Sequence, residues 1–242
     1  MAKYTPTQLS QHQLNALINN ANSGNMAAAV ELGVMYAHGI NVKKDLDRAL
    51  KYTEKAAAAG IPEGIINYAK LYIDNQIDVD KGIAILSSLY SHPSEAIRQA
   101  SAFNLGVYFS QNGYTTEAIT HYKRAADNGS VGALHNLGIL YAKSGMYADA
   151  RAAWKSAMQK GDVAATYSYG LTYICPGLDL NESLGLKYVL QAARKGYDLA
   201  ITELREHYKL DSTISDEMVL QFVAEELGVV HKGESSSSST SS

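Results

Sequence analysis

A five-residue pattern returns six times along the chain. Leu32-Gly33-Val34-Met35-Tyr36 is followed by Tyr68-Ala69-Lys70-Leu71-Tyr72 and Leu105-Gly106-Val107-Tyr108-Phe109. Leu137-Gly138-Ile139-Leu140-Tyr141 and Tyr169-Gly170-Leu171-Thr172-Tyr173 come next, and Leu204-Arg205-Glu206-His207-Tyr208 is a decayed sixth copy. The closing aromatics are spaced by 36, 37, 32, 32 and 35 residues, the range in which helical hairpins repeat. A second pattern lies between the copies. Ala49, Gly82, Ala118, Ala150 and Gly185 are small, and eleven residues after each come Gly60, Pro93, Gly129, Gly161 and Gly196, residue types that end helices. Nine residues separate a terminating glycine from the next copy's small position, as from Gly129 to Gly138. From Pro93 to Gly106 the count is 13. Four extra residues are about one helical turn, so the helix leading into Gly106 is predicted to be one turn longer.

Each unit reads as two helices. Helix A carries Ala28, Leu32, Gly33 and Tyr36, or Ala133, Leu137, Gly138 and Tyr141, on one face. Helix B carries Ala49, Tyr52 and Ala56, or Ala150, Trp154 and Ala157. Glycine inside a helix costs roughly 1 kcal/mol against alanine, so its recurrence predicts a neighbouring helix backbone passing close by. The chain holds 17 Tyr against 3 Phe, which suggests one position reused. There the ring would cover an apolar gap while the hydroxyl reaches water or a carbonyl. Insertions fall between A and B, as in His38 to Lys44.

Composition narrows the classes. The 242 residues carry a formal net charge of -3, 46% apolar and 19% charged residues. That balance fits a globular body and disfavours general nucleic-acid binding, which needs a basic surface. One cysteine excludes an intrachain disulfide and a Cys-rich metal site. No apolar run of about 18 residues predicts a membrane span, and the first residues do not read as a secretory signal. A cytoplasmic location is the expectation. The fold expected is all-α: a right-handed α/α superhelical solenoid of about five to six helix-turn-helix repeats with helical caps. Residues 1–23 are assigned to an N-terminal capping helix starting at Thr5-Pro6, and 24–210 to the repeats. A C-terminal cap is expected over 211–230, and a disordered serine-rich tail over 231–242.

The string Leu32-Gly33, Tyr36, Gly39, Asp45, Ala49, Ala56-Ala57, Gly60 resembles a Sel1-like repeat. The third and fourth units look closer to tetratricopeptide repeats, as in Gly113 to Ala118. The resemblance covers about residues 24 to 210. The second unit departs most from the pattern, with Ala69 for glycine and Ser87-Ser88-Leu89 where alanines are expected. Both families imply the same α/α solenoid.

In such a stack the A helices line the inner side. The residue before the Leu/Tyr position would point there, which singles out Asn67, Asn104 and Asn136. A carboxamide both donates and accepts, so a row of them at repeat spacing could hold an extended peptide backbone. The alternative is that each only bonds backbone nearby. Lys70, Phe103, Val107, His135, Ile139, Tyr167 and Leu171 would complete a mostly apolar wall, or serve as packing between A helices. No phosphate loop, metal-protease or serine-hydrolase motif is present. No cofactor or metal is expected, and Asn181 is expected to cap a helix B. Three readings follow. The first is a non-catalytic scaffold binding another protein or peptide segment. The second is a cytosolic immunity or inhibitor protein that tightly binds one bacterial toxin or effector. The third is an enzyme using Cys175 or a groove histidine.

Overall fold

The computed structural model describes residues 9–174 and 180–229, and among them every regular element is helical. Two compact units divide the chain between Ala133 and Leu134. The first opens with α1 (Gln11–Asn22), then hairpins α2 (Met26–His38) with α3 (Leu46–Ala58) and α4 (Pro62–Asp74) with α5 (Val79–Ser88). The third hairpin is α6 (Glu95–Gln111) with α7 (Thr115–Asp127), and α8 (Val131–Lys143) begins in this unit. The second unit continues α8 and adds α9 (Tyr147–Gln159), α10 (Val163–Ile174) and α11 (Glu182–Arg194). It closes with α12 (Asp198–His207) and α13 (Asp216–Glu226). The even-numbered helices through α12 are the A helices of the sequence pattern. In the first unit α2 touches α4 and α4 touches α6, so these A helices form one layer.

The turns are built by local chemistry. Gly24, Gly60, Gly129, Gly161 and Gly196 all adopt φ between 75° and 99°. The following N–H then reaches back five residues, from Ile61 to the Ala56 carbonyl or from Asp162 to that of Ala157. This left-handed closure satisfies carbonyls that the helix end leaves open. Helix starts are capped by side chains: Asn25 accepts from the Ala28 N–H, Asp45 from Arg48, Asp78 from Lys81 and Asn181 from Leu184. Helix α6 has 17 residues against 13 in α2, α4 and α8, the extra turn expected from the Pro93 spacing.

The core is a chain of local clusters. Ala29, Leu32, Ala49 and Ala56 have no exposed surface and pack with Tyr36 and Ala21. Leu86, Leu105 and Ala69 anchor a second cluster in the same unit, and Val189, Leu204, Val219 and Val223 anchor the second unit.

The glycines divide into two kinds. A Cβ on Gly170 would stand 2.9 Å from the Gly185 carbonyl oxygen, and one on Gly82 would stand 2.8 Å from that of Ala69. Here helix backbones do approach, as expected. At Gly33, Gly106 and Gly138 the space is taken by a helix-B side chain instead: Thr53, the Tyr122 ring and the Trp154 indole. At Gly106 and Gly138 a ring from B fills the notch, so backbone approach is not the cause there, whereas at Gly33 the Thr53 backbone nitrogen also comes within 3.4 Å.

Other expectations need correction. The first helix does not run from residue 6: Leu9 and Ser10 are not helical, and a capping box between Ser10 and Gln13 starts α1 at Gln11. Thr5-Pro6, Cys175 and the serine tail lie outside the described residues. The tyrosine excess is not one position. Tyr36 stacks on Tyr52, Tyr68 meets Tyr72, and Tyr169 contacts both Tyr173 and Tyr188. Two hydroxyls at the recurring position take a cation. Arg48 donates to the Tyr36 hydroxyl at 3.1 Å and Lys81 to that of Tyr72 at 3.2 Å. A cation from the next helix B is long enough to reach over the ring edge, and it finds both the π face and the oxygen there.

Candidate functional site

A pocket of about 160 Å³ opens between α2 and α4 in the first unit. Val34, Ala37 and Leu71 supply its apolar wall. Asn67, Lys70 and Asp74 come from one face of α4, at offsets of three and four residues that a helix places together. His38, the last residue of α2, and Lys44, from the A–B connection of the first hairpin, also line it. The two elements are held by different means. The Gly33 notch takes the Thr53 side chain, and the hydroxyl of Thr53 donates to the Ala49 carbonyl at 2.8 Å. Asp45, directly after Lys44, caps α3 and its N–H donates to the Tyr36 carbonyl.

The three amides of the sequence pattern behave differently. Asn67 is half-buried, and its carboxamide has no protein partner among the described residues. Asn104 donates to the Ala100 carbonyl of its own helix at 2.8 Å, which is the local use foreseen as the alternative. Asn136 is half-buried in the second unit. Lys70 lies 3.8 Å from Asp74, with side chains 39% and 60% exposed. Such a pair contributes little, so the ammonium is free to turn to an incoming acceptor.

The remaining members of the row all lie on A helices with intermediate exposure. Phe103 and Val107 sit beside Asn104 in the first unit, and Phe103 also packs on the Tyr122 ring and under Gly132. In the second unit are His135, Ile139, Tyr167 and Leu171. Leu171 packs against the cluster around Val189. The Tyr167 hydroxyl donates to Glu203 at 3.3 Å, and its ring meets Tyr197. The His135 Nδ1 is buried without a hydrogen bond, 3.7 Å from an Asp162 oxygen that accepts the Ala165 N–H. Of the ten residues in the pattern, two therefore line the α2–α4 pocket, Asn67 and Lys70. Lys44, His38 and Asp74 were not singled out from sequence. The usable signals were the lysine pair in the A–B insertion and an acid four residues after Lys70.

Titratable chemistry elsewhere is structural in form. The Tyr90 hydroxyl lies 2.5 Å from His121 Nδ1, Phe109 stacks on the imidazole, and Arg124 covers the Tyr90 ring. Burial pushes the Tyr90 hydroxyl up to about 12, and burial followed by the Arg124 charge holds His121 below its ordinary value. Among the described residues no group of three His, Cys, Asp or Glu side chains could hold a metal ion. Among them, too, no helix is long and apolar enough to cross a membrane.

Antiparallel helix pairs stacked through small-residue notches, with a pocket on their A layer, define an α/α repeat protein of the solenoid class. The model of the Sel1 repeat matches residues 27–61, 99–130 and 162–197, so the chain carries three Sel1 repeats. The third hairpin, which looked closer to a tetratricopeptide repeat, is among the matched segments. The divergent second hairpin lies between them. The crystal structure of a Sel1 repeat protein from Oxalobacter formigenes superposes with a TM-score of 0.61 at 25% identity, covering 90% of this chain and 93% of that one. That of c5321, a protective antigen present in uropathogenic Escherichia coli strains and displaying an SLR fold, gives 0.62 at 22% identity. It covers 89% of this chain and 49% of that one. The second likeness shows the fold alone. No protein with a curated description matched the sequence. Sel1 repeat proteins are generally protein-interaction scaffolds, and their fold is typically non-catalytic.

Proposed function

We propose that the protein is a non-catalytic scaffold that holds an extended segment of a partner protein against its A helices. The observation that carries this reading is the α2–α4 pocket. There an unpartnered carboxamide, Asn67, and a loosely paired ammonium, Lys70, stand beside the apolar wall of Val34, Ala37 and Leu71. Such a set suits a polypeptide: the amide takes a peptide group, and the apolar wall takes a side chain. Asn104, Phe103 and Val107 extend the row in the first unit. Asn136, His135, Ile139, Tyr167 and Leu171 offer the same residue types in the second.

A displayed library of extended peptides, selected on the intact chain, supplies the probe. Selected peptides should bind the triple variant Asn67→Ala, Asn104→Ala, Asn136→Ala at least about tenfold more weakly, about 1.4 kcal/mol, with helicity unchanged. Equal affinity for the two proteins would reject the A-helix site. Asn67→Ala alone should account for more of the loss than Asn104→Ala, because Asn104 already donates to its own helix.

A further inference from the structure

The first and last helices of the chain are finished differently. Helix α1 exposes Gln11, His12, Gln13, Asn15 and Asn19, the polar outer face a terminal helix needs in water. Helix α13 does not. Met218 is 60% exposed and Phe222 39%, one turn apart on its outer face. Apart from these two, of which Phe222 meets the Tyr208 ring, two adjoining depressions of about 420 and 400 Å³ between α11 and α13 share Arg194 and Val229. Their floor is apolar, formed by Leu190, Leu220, Ala224 and Val229. Their two walls carry opposite charge: Lys187, Arg194 and Lys195 on the α11 side, and Glu217 and Glu225 on α13. None of the three cations forms an ion pair within the chain among the described residues.

We propose that this face docks a second copy of the chain in an isologous two-fold dimer. A two-fold axis lying along the groove sets the basic wall of each copy over the acidic wall of the other and brings the apolar floors together. An axis across the groove would set like charges face to face, so the charge pattern selects one register. The chain's own C-terminal segment does not suit the face. From Val230 to Ser242 its only apolar residue is Val230, too little to cover Leu190, Leu220 and Ala224. The proposal uses no residue of the A-helix row, so the triple asparagine variant should remain dimeric.

Light scattering and sedimentation of the full chain over the micromolar range test it. The wild type should be a dimer. Reversing the α11 wall (Lys187→Glu, Arg194→Glu, Lys195→Glu) or the α13 wall (Glu217→Lys, Glu225→Lys) should each give monomers. An equimolar mixture of the two variants should restore the dimer, because every contact then pairs opposite charges. Gln221→Lys, at an exposed position on the acidic wall, should weaken the dimer by about tenfold or more and decides the matter if a reversal variant loses helicity. A monomeric wild type, an assembly that grows beyond two copies, or reversal variants that still dimerise would overturn the proposal. So would loss of the dimer on deleting residues 230–242.

Discussion

At the scale of single residues, small side chains matter for what fills the space they leave. Gly138 lies beneath the Trp154 indole, whose Nε1 is buried without a hydrogen bond, and Gly106 lies beneath the Tyr122 ring. Both notches are full, because a buried ring from helix B takes the place of the missing Cβ. Changing Gly138 to Leu should therefore destabilise the protein by about 3 kcal/mol, as overpacking of a filled core does. Urea unfolding followed by circular dichroism measures it, and an unmoved midpoint would show that the indole can swing aside. The recurrence of glycine was legible in the sequence, but the identity of its neighbour was not. Two different solutions, a close backbone at Gly170 and a large ring at Gly138, leave the same small residue behind. The asparagine row is a similar case. Identical residue types at one repeat position end in different states, since Asn104 finds a carbonyl of its own helix and Asn67 does not.

At the scale of elements, turn chemistry was the most legible layer. A glycine followed nine residues later by the next small position fixes a helix end, a left-handed turn and a helix start, all local interactions. The 13-residue count after Pro93 likewise gave the extra turn of α6. Arg205 shows where such reading stops. In the pattern it stands where other copies have glycine or alanine, and it reads as decay. In the structure it holds the connection between α12 and α13, donating to the carbonyls of Asp211 and Ile214 and to the Asp216 carboxylate at 2.6 Å. Its side chain is only 18% exposed, so these charge-assisted bonds are partly shielded from water. Arg205→Ala should cost about 2 kcal/mol and raise amide exchange at the start of α13 well above that of α11. Exchange raised equally in both helices would show that the arginine acts on the whole unit and does not act as a local staple.

At the scale of the molecule, the core is spread over clusters that each join neighbouring helices. The fully buried Leu86 belongs to the cluster of α4, α5 and α6. Leu86→Ala should cost about 2–5 kcal/mol. In a stack where repeats touch mainly their neighbours, its effect on hydrogen exchange should be largest in α4 to α6 and small in α11 to α13. A uniform loss of protection would mean one cooperative core. The sequence by itself determined the hairpin period, the helix ends and the buried stripe of each helix, because these depend on contacts within a turn or between adjacent helices. Only the tertiary structure decided which asparagine keeps a free amide, which lysines reach the α2–α4 pocket, and that the last helix shows apolar side chains to solvent. Those outcomes depend on side chains brought together across a notch or a groove, and the spacing of a repeat carries no record of them.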